Sequence, residues 1–214
     1  HKFQFAGYYA AKEKGFYDEV GLNVEIRQRD LKYNNIDEVI NGNAQYGVAD
    51  SILILYRLKQ QPVVIVSPIF QHSPSVFISL KKSNISSVYE LNNKDILFYP
   101  NDTDGFSLLA MIKKFDLDVN LVRERYKDDY MRLINNEVDV MPAYIANEPF
   151  LFKEKGYDVN IINPTNYGFD MYGDMLFTNE DEAKNNPIRV EKFKEATLKG
   201  WKYALENKEE IIQL

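Results

Sequence analysis

The chain of 214 residues contains no cysteine, which excludes disulfides, thiolate-bound zinc and thiol catalysis. Histidine is nearly as scarce. His1 opens the sequence and His72 is the only internal one, so no nucleophile–base pair is apparent. Basic residues are outnumbered, 26 Lys and Arg against 32 Asp and Glu, for a net charge of −6. Nucleic acid and anionic membranes both require concentrated positive surface, so neither is an expected partner. The apolar runs at residues 52–55 and 63–66 are far too short to span a bilayer. Low-complexity tracts, a secretory leader pattern and an initiator Met are also missing. His1 already lies inside an alternation with Phe3 and Phe5, and the sequence reads as a mature or excised piece. The final stretch "ENKEEIIQL" stops on an apolar face, consistent with truncation. Lack of cysteine fits a cytosolic or an extracytoplasmic origin equally.

What is present is ample apolar material, 45% of residues with 13 Phe and 15 Tyr spread throughout, enough for one large domain or two small lobes. Short strand-like runs alternate with helical patterns from end to end, which predicts α/β architecture. The first series runs helix 8–14, strand 24–26, helix 36–40, strand 46–49, helix 51–60, strand 62–66 and strand 75–80. A second series runs strand 96–99, helices 106–115 and 130–135, strand 138–143, helix 146–155 and strand 159–162. A last strand near 175–177 precedes a long helical tail with Pro187 in its first turn. "INGNAQYGVAD" (40–50) and "INNEVDVMPAY" (134–144) share a helix end, a polar loop and a buried strand. "KEKGFYDEVGLNVEI" and "KEKGYDVNII" both end a helix at Lys-Gly and enter a strand. With or without duplication, two α/β halves follow, each built of strand–helix units. Ligands of such sheets gather at the C-terminal ends of the strands, where helix N-termini converge.

Six words, in order along nearly the whole chain, carry a family resemblance: "HKFQFAGYYAAKEKGFYDEVGLNVEI", "GNAQYGVADSILI", "VSPIFQHSP", "VDVMPAYIANEPF", "YGFDMYGDMLFT" and "FKEATLKGWKYALENKEEII". They resemble bacterial substrate-binding proteins related to thiamine-pyrimidine precursor binding, within the broader sulfonate–nitrate–taurine type. The resemblance implies an α/β, two-lobed periplasmic-binding-protein fold of type II that closes a cleft on a small molecule. Lobe 1 would comprise residues 1–78 and 169–214 and lobe 2 residues 79–168, with crossovers near 75–82 and 163–174. It also implies a periplasmic or extracytoplasmic location, no cofactor or metal, and the permease of an ABC importer as partner. "FQHSP" with "YGDMLF" looks like modules at the outer end of membrane-bound signalling receptors. The alternative partner is therefore a set of fused signalling domains, such as those of a histidine kinase, in a membrane-anchored full-length protein. A eukaryotic branch of the family makes the thiamine pyrimidine with a lysine, a histidine and a cysteine-rich run. Ala49 and Leu53 stand where the lysine and histidine would be, and cysteine is absent, so no enzyme is expected.

Candidate ligand contacts follow strand ends. Tyr8 and Tyr9 stand at a helix start that the resemblance aims into the cleft, behind Gly7, which permits close backbone approach; one ring should stack on the ligand and the other should pack. Asp50 and Ser51 open a helix, one as its N-cap and the other free to reach a ligand. Gln71 and His72 end a strand beside the first crossover. Thr103 lies in "NDTDG", which lacks both the Glu of a calcium loop and the Gly-Lys-Ser/Thr of a phosphate loop. Tyr144, Asn147 and Glu148 are the second-half counterpart of Asp50. Tyr172 and Asp174 lie in the returning crossover, as hinge or as pocket wall. These loops hold Asp50, Asp102, Asp104, Glu148 and Asp174 and no Lys or Arg. That composition points to a neutral or weakly basic ligand, such as a flat heterocycle whose amino groups donate to carboxylates. The rival classes are an acid–base enzyme using two such acids and an adhesive module with no pocket.

Overall fold

The computed structural model of the chain describes residues 3–30, 32–98, 105–123 and 129–213. The chain divides into two compact units, His1–Tyr46 with Pro62–Ser67 and Phe177–Leu214, and Gly47–Gln61 with Pro68–Leu176. The mixed α/β class expected from the alternating pattern is what forms.

In the first unit, α1 (Ala6–Glu13) lies against α9 (Pro187–Glu206), the long helix whose first residue is the expected proline. The spacing Phe193, Ala196, Thr197, Gly200, Trp201, Ala204 buries one stripe of α9. Glycine sets the approach: a Cβ on Gly200 would run into the Gly7 carbonyl and Ala11, and one on Gly7 would strike the Trp201 ring. Tyr17, in the short helix α2 (Phe16–Glu19), stacks on Phe193 at 5.1 Å and shares a 2.9 Å hydrogen bond with Thr197. Burial pushes its phenol up to about 12. Helices α3 (Asn35–Ile40), α8 (Glu180–Asn185) and α10 (Lys208–Ile211) complete the unit's helices, α3 and α8 each capped by an Asn side chain. The strand expected at 24–26 does not form; Val24 and Ile26 are half-buried but pair with no neighbouring strand.

β1 (Tyr46–Ala49), β8 (Met175–Asn179) and β2 (Val63–Pro68) make a three-stranded sheet with β8 in the middle.

The second unit is organised around β3 (Ser75–Leu80), every residue of which is buried. It pairs antiparallel with β6 (Met141–Tyr144) on one side and β7 (Val159–Ile162) on the other. β4 (Asp95–Leu97) runs parallel to β5 (Asn120–Val122) and bridges to β6 through Ile96 and Val140. The strand order is therefore β5-β4-β6-β3-β7, a parallel group joined to one reversed strand. One side of the sheet packs Phe77, Phe98, Leu108 and Met111, while Val76, Ile78, Leu97 and Phe152 form a second cluster. α4 (Leu53–Leu58), α5 (Phe106–Lys114), α6 (Asp129–Ile134) and α7 (Glu148–Glu154) supply the helices.

Residues 47–61, which the resemblance places with lobe 1, group here with 68–176. Part of the reason is a set of hydrogen bonds from the start of α5 to Asp50.

Candidate functional site

Tyr8 is a packing residue. It is 6% exposed and meets Trp201 edge to face at 5.9 Å. The close approach that Gly7 permits is to α9. Tyr9, its neighbour, remains half-buried.

Most of the other expected residues enter hydrogen bonds within the second unit. Asp50 leaves β1, turns, and takes the Ile52 N–H on Oδ1 at 2.8 Å, the Asx turn that a polar helix entry predicts. Its Oδ2 accepts the N–H groups of Gly105 (2.7 Å) and Phe106 (3.0 Å) at the start of α5. Ser51 donates to the Tyr172 carbonyl at 2.7 Å. Two residues on, Asp174 accepts the Tyr144 hydroxyl at 3.0 Å, while its carbonyl accepts the N–H groups of Ile69 and Phe70. Asp50, Ser51 and Asp174 are all buried, which makes their bonds obligatory.

Glu148 folds back from the first residue of α7 to accept the Tyr144 N–H at 2.7 Å, so the end of β6 and the start of α7 form one closed turn. Asn147 precedes the helix with its own N–H on the Tyr144 carbonyl and makes no side-chain cap. Gln71, His72 and Tyr172 are exposed. His72 meets Asp170 at 2.7 Å, an exposed pair of small energetic weight that joins residue 72 to the returning segment. That segment is bound closely: Ser73 N–H to Met171, Gly173 N–H to Phe70, and a Cβ on Gly173 would crowd Phe70 and Pro74. Thr103 lies outside the described residues, as do Asp102 and Asp104.

Three groups escaped sequence reasoning. The amides of Gly105 and Phe106 are 55 and 56 residues from their acceptor, and no local pattern announces the contact. Asp170 is 98 residues from His72. Ser107 sits in the first turn of α5 with a buried hydroxyl that has no hydrogen-bond partner; a serine just inside a helix start was the available signal.

Two surface concavities, of about 270 and 400 Å³, lie in the first unit around Asn185, Asn186 and Arg189, and none of the expected ligand contacts lines either. Among the described residues, no group of three or more His, Cys, Asp or Glu could hold a metal ion, and no helix is long and apolar enough to cross a membrane.

The chain matches the family described as NMT1/THI5 like over residues 2–211. It is 27% identical to a riboflavin-binding protein of Chloroflexus aurantiacus, over 99% of this chain and 62% of the relative. It is 24% identical to a formylaminopyrimidine-binding protein of Halalkalibacterium halodurans, over 96% of this chain and 64% of the relative. The chain thus spans a little over three fifths of the length of these two curated relatives. Among solved structures, a periplasmic sulfonate-binding protein from Methylobacillus flagellatus superposes with a TM-score of 0.70 at 20% identity, covering 97% of this chain and 67% of that one. That likeness establishes the fold: the two-lobed periplasmic-binding-protein fold expected from the sequence.

Proposed function

Because the chain belongs to the NMT1/THI5-like family, we propose that it is the binding part of an extracytoplasmic solute-binding protein serving an ABC importer. Its ligand in this reading is a small, flat nitrogen heterocycle, neutral or weakly basic. The observation that carries it is a pair of hydrogen bonds, from buried Ser51 to the Tyr172 carbonyl and from the Tyr144 hydroxyl to buried Asp174, at the ends of β1 and β6 and on the returning segment. Buried polar side chains must be satisfied, and here Ser51 is fixed by a backbone carbonyl and Asp174 by a tyrosine hydroxyl. Preorganised acceptors of this kind suit a ligand that donates hydrogen bonds. The two curated relatives are named for riboflavin and a formylaminopyrimidine, both flat nitrogen heterocycles, which supports the same ligand class.

In this reading Tyr144, Asp174, Asn147 and Glu148 offer the polar contacts, and Gln71 and Tyr172 the rim. No catalytic step is assigned to these residues. The test is a thermal-shift screen of the purified chain against heterocyclic metabolites, followed by calorimetry and product analysis. Saturable stabilisation by a heterocycle recovered unchanged is the expected outcome; a ligand at a hundredfold its Kd adds about 2.7 kcal/mol. No stabilisation by any member of the panel, or chemical turnover of the one that binds, would overturn the reading.

A further inference from the structure

The returning segment, residues 170–174, is bonded to residues 69–73 as a short ribbon within the second unit. The N–H groups of Ile69 and Phe70 both meet the Asp174 carbonyl, the Gly173 N–H meets the Phe70 carbonyl at 2.9 Å, and the Ser73 N–H meets that of Met171 at 2.7 Å. Gly173 lies where the two segments are closest. A Cβ built on it would stand 2.8 Å from Pro74 Cδ, 2.9 Å from Phe70 Cβ and 3.3 Å from the His72 carbonyl oxygen. These are a ring atom, a Cβ and a backbone atom, and none can swing aside as the end of a long side chain does. The φ of Gly173 lies outside the left-handed region, so backbone conformation does not call for glycine here. Space does.

Both neighbours of Gly173 carry bonds of the candidate site. The Tyr172 carbonyl accepts the Ser51 hydroxyl, and the Asp174 carboxylate accepts the Tyr144 hydroxyl. Pro74, whose ring a Cβ would strike, accepts the Ile145 N–H on its carbonyl at 2.9 Å, next to Tyr144. A side chain at 173 would therefore push on both partners of the Tyr144–Asp174 bond, on Asp174 along the chain and on Tyr144 through Pro74 and Ile145. Relaxing the 2.8 Å approach to ordinary carbon contact takes a shift of roughly 0.7 Å. A 3.0 Å hydrogen bond lengthened by that much is no longer one.

We propose that Gly173 is a positioning residue of the candidate site, resting on the solute-binding reading for what the site holds. By carrying no side chain it lets the returning segment close on Pro74, so that Asp174 reaches the Tyr144 hydroxyl and the Tyr172 carbonyl reaches Ser51. Gly173 touches no ligand itself; it sets where these polar groups stand.

The test is a double-mutant cycle in urea unfolding, with Gly173→Ala and Tyr144→Phe alone and together. Tyr144→Phe alone should lower the folding equilibrium constant at least about fivefold, and less than about twofold in the Gly173→Ala background, where the bond is already broken. Additive losses would overturn the proposal, since a glycine needed for packing alone leaves that bond intact. If Gly173→Ala does not fold, hydrogen exchange in Tyr144→Phe decides, because coupling is reciprocal. The Gly173 amide should then lose more protection than the Leu97 amide, which bonds Val140 in the sheet of the same unit; equal losses would overturn the proposal. The binding arm is calorimetry with riboflavin, a flat nitrogen heterocycle of the proposed class. Gly173→Ala should bind it at least about tenfold more weakly than the wild type, and equal affinity would overturn the positioning role. Absence of riboflavin binding by the wild type would count against the solute-binding reading and leave the cycle to decide the role of Gly173.

Discussion

Glu182 in the first unit accepts from four side-chain donors: the Tyr46 hydroxyl, the Asn186 amide, and Nε and Nη2 of Arg189. Asp50 in the second unit accepts, among the described residues, from three backbone N–H groups, two of them at the first turn of a helix. Both carboxylates are buried. Glu182 is fixed by a guanidinium fork, the arrangement that ties α8 to α9 and sets Tyr46 against Phe193 at 3.9 Å. Asp50 instead takes up the open amides of a helix start. A buried carboxylate thus clamps side chains in one unit and caps a helix start in the other.

The largest expected effect is on the clamp. Glu182→Ala removes four acceptor contacts at once and should cost about 3 kcal/mol in urea unfolding, since Arg189 is exposed enough to recover water. The same site predicts an acid limb. The hydrogen bond from Arg189 holds the Glu182 carboxyl below its ordinary value. Its contribution is therefore present above the ordinary carboxylate range and is lost as pH falls through that range. Glu182→Gln should flatten that acid loss; an unchanged acid limb would show that the clamp does not depend on charge.

Asp50→Asn comes next, at about 1–2 kcal/mol, because one amide oxygen can still accept while the charge at the helix start is lost. A loss equal to that of Glu182→Ala would erase the distinction between side-chain clamp and helix cap. Tyr17→Phe should cost about 1 kcal/mol at neutral pH, through the lost Thr197 bond. It should also remove an alkaline loss. Tyr17 titrates near 12 in the fold against 10.0 in the open, so the wild type loses stability as pH rises between those values. Smallest, and opposite in sign, is Ser107→Ala. Removing an unpartnered buried hydroxyl and improving helix propensity should stabilise the unliganded chain by about 0.5–1 kcal/mol. A destabilised variant would show that Ser107 has a structural partner.

How much was legible beforehand depends on how local the cause is. β3 and β7 were read to the residue because "SVFISL" and "VNII" carry their own apolar runs. Pro187 marked the start of α9 through its fixed φ. β5 was missed: three residues, "NLV", form a strand only because β4 lies beside them. The alternation of Val24 and Ile26 indicated one covered face and said nothing about a pairing partner. At the site, the turn at Asp50 was visible and its use of Gly105 and Phe106 was not. Tyr8 could not be separated from Tyr9 in the sequence, because what buries it is Trp201, nearly the whole chain away.

The most direct measurement is a paired calorimetric titration of this chain with one neutral heterocycle that stabilises it and with the sulfonated derivative of the same ring. The account predicts saturable one-to-one binding of the neutral compound and no measurable heat of binding from the sulfonate. Equal or tighter binding of the sulfonate would contradict it.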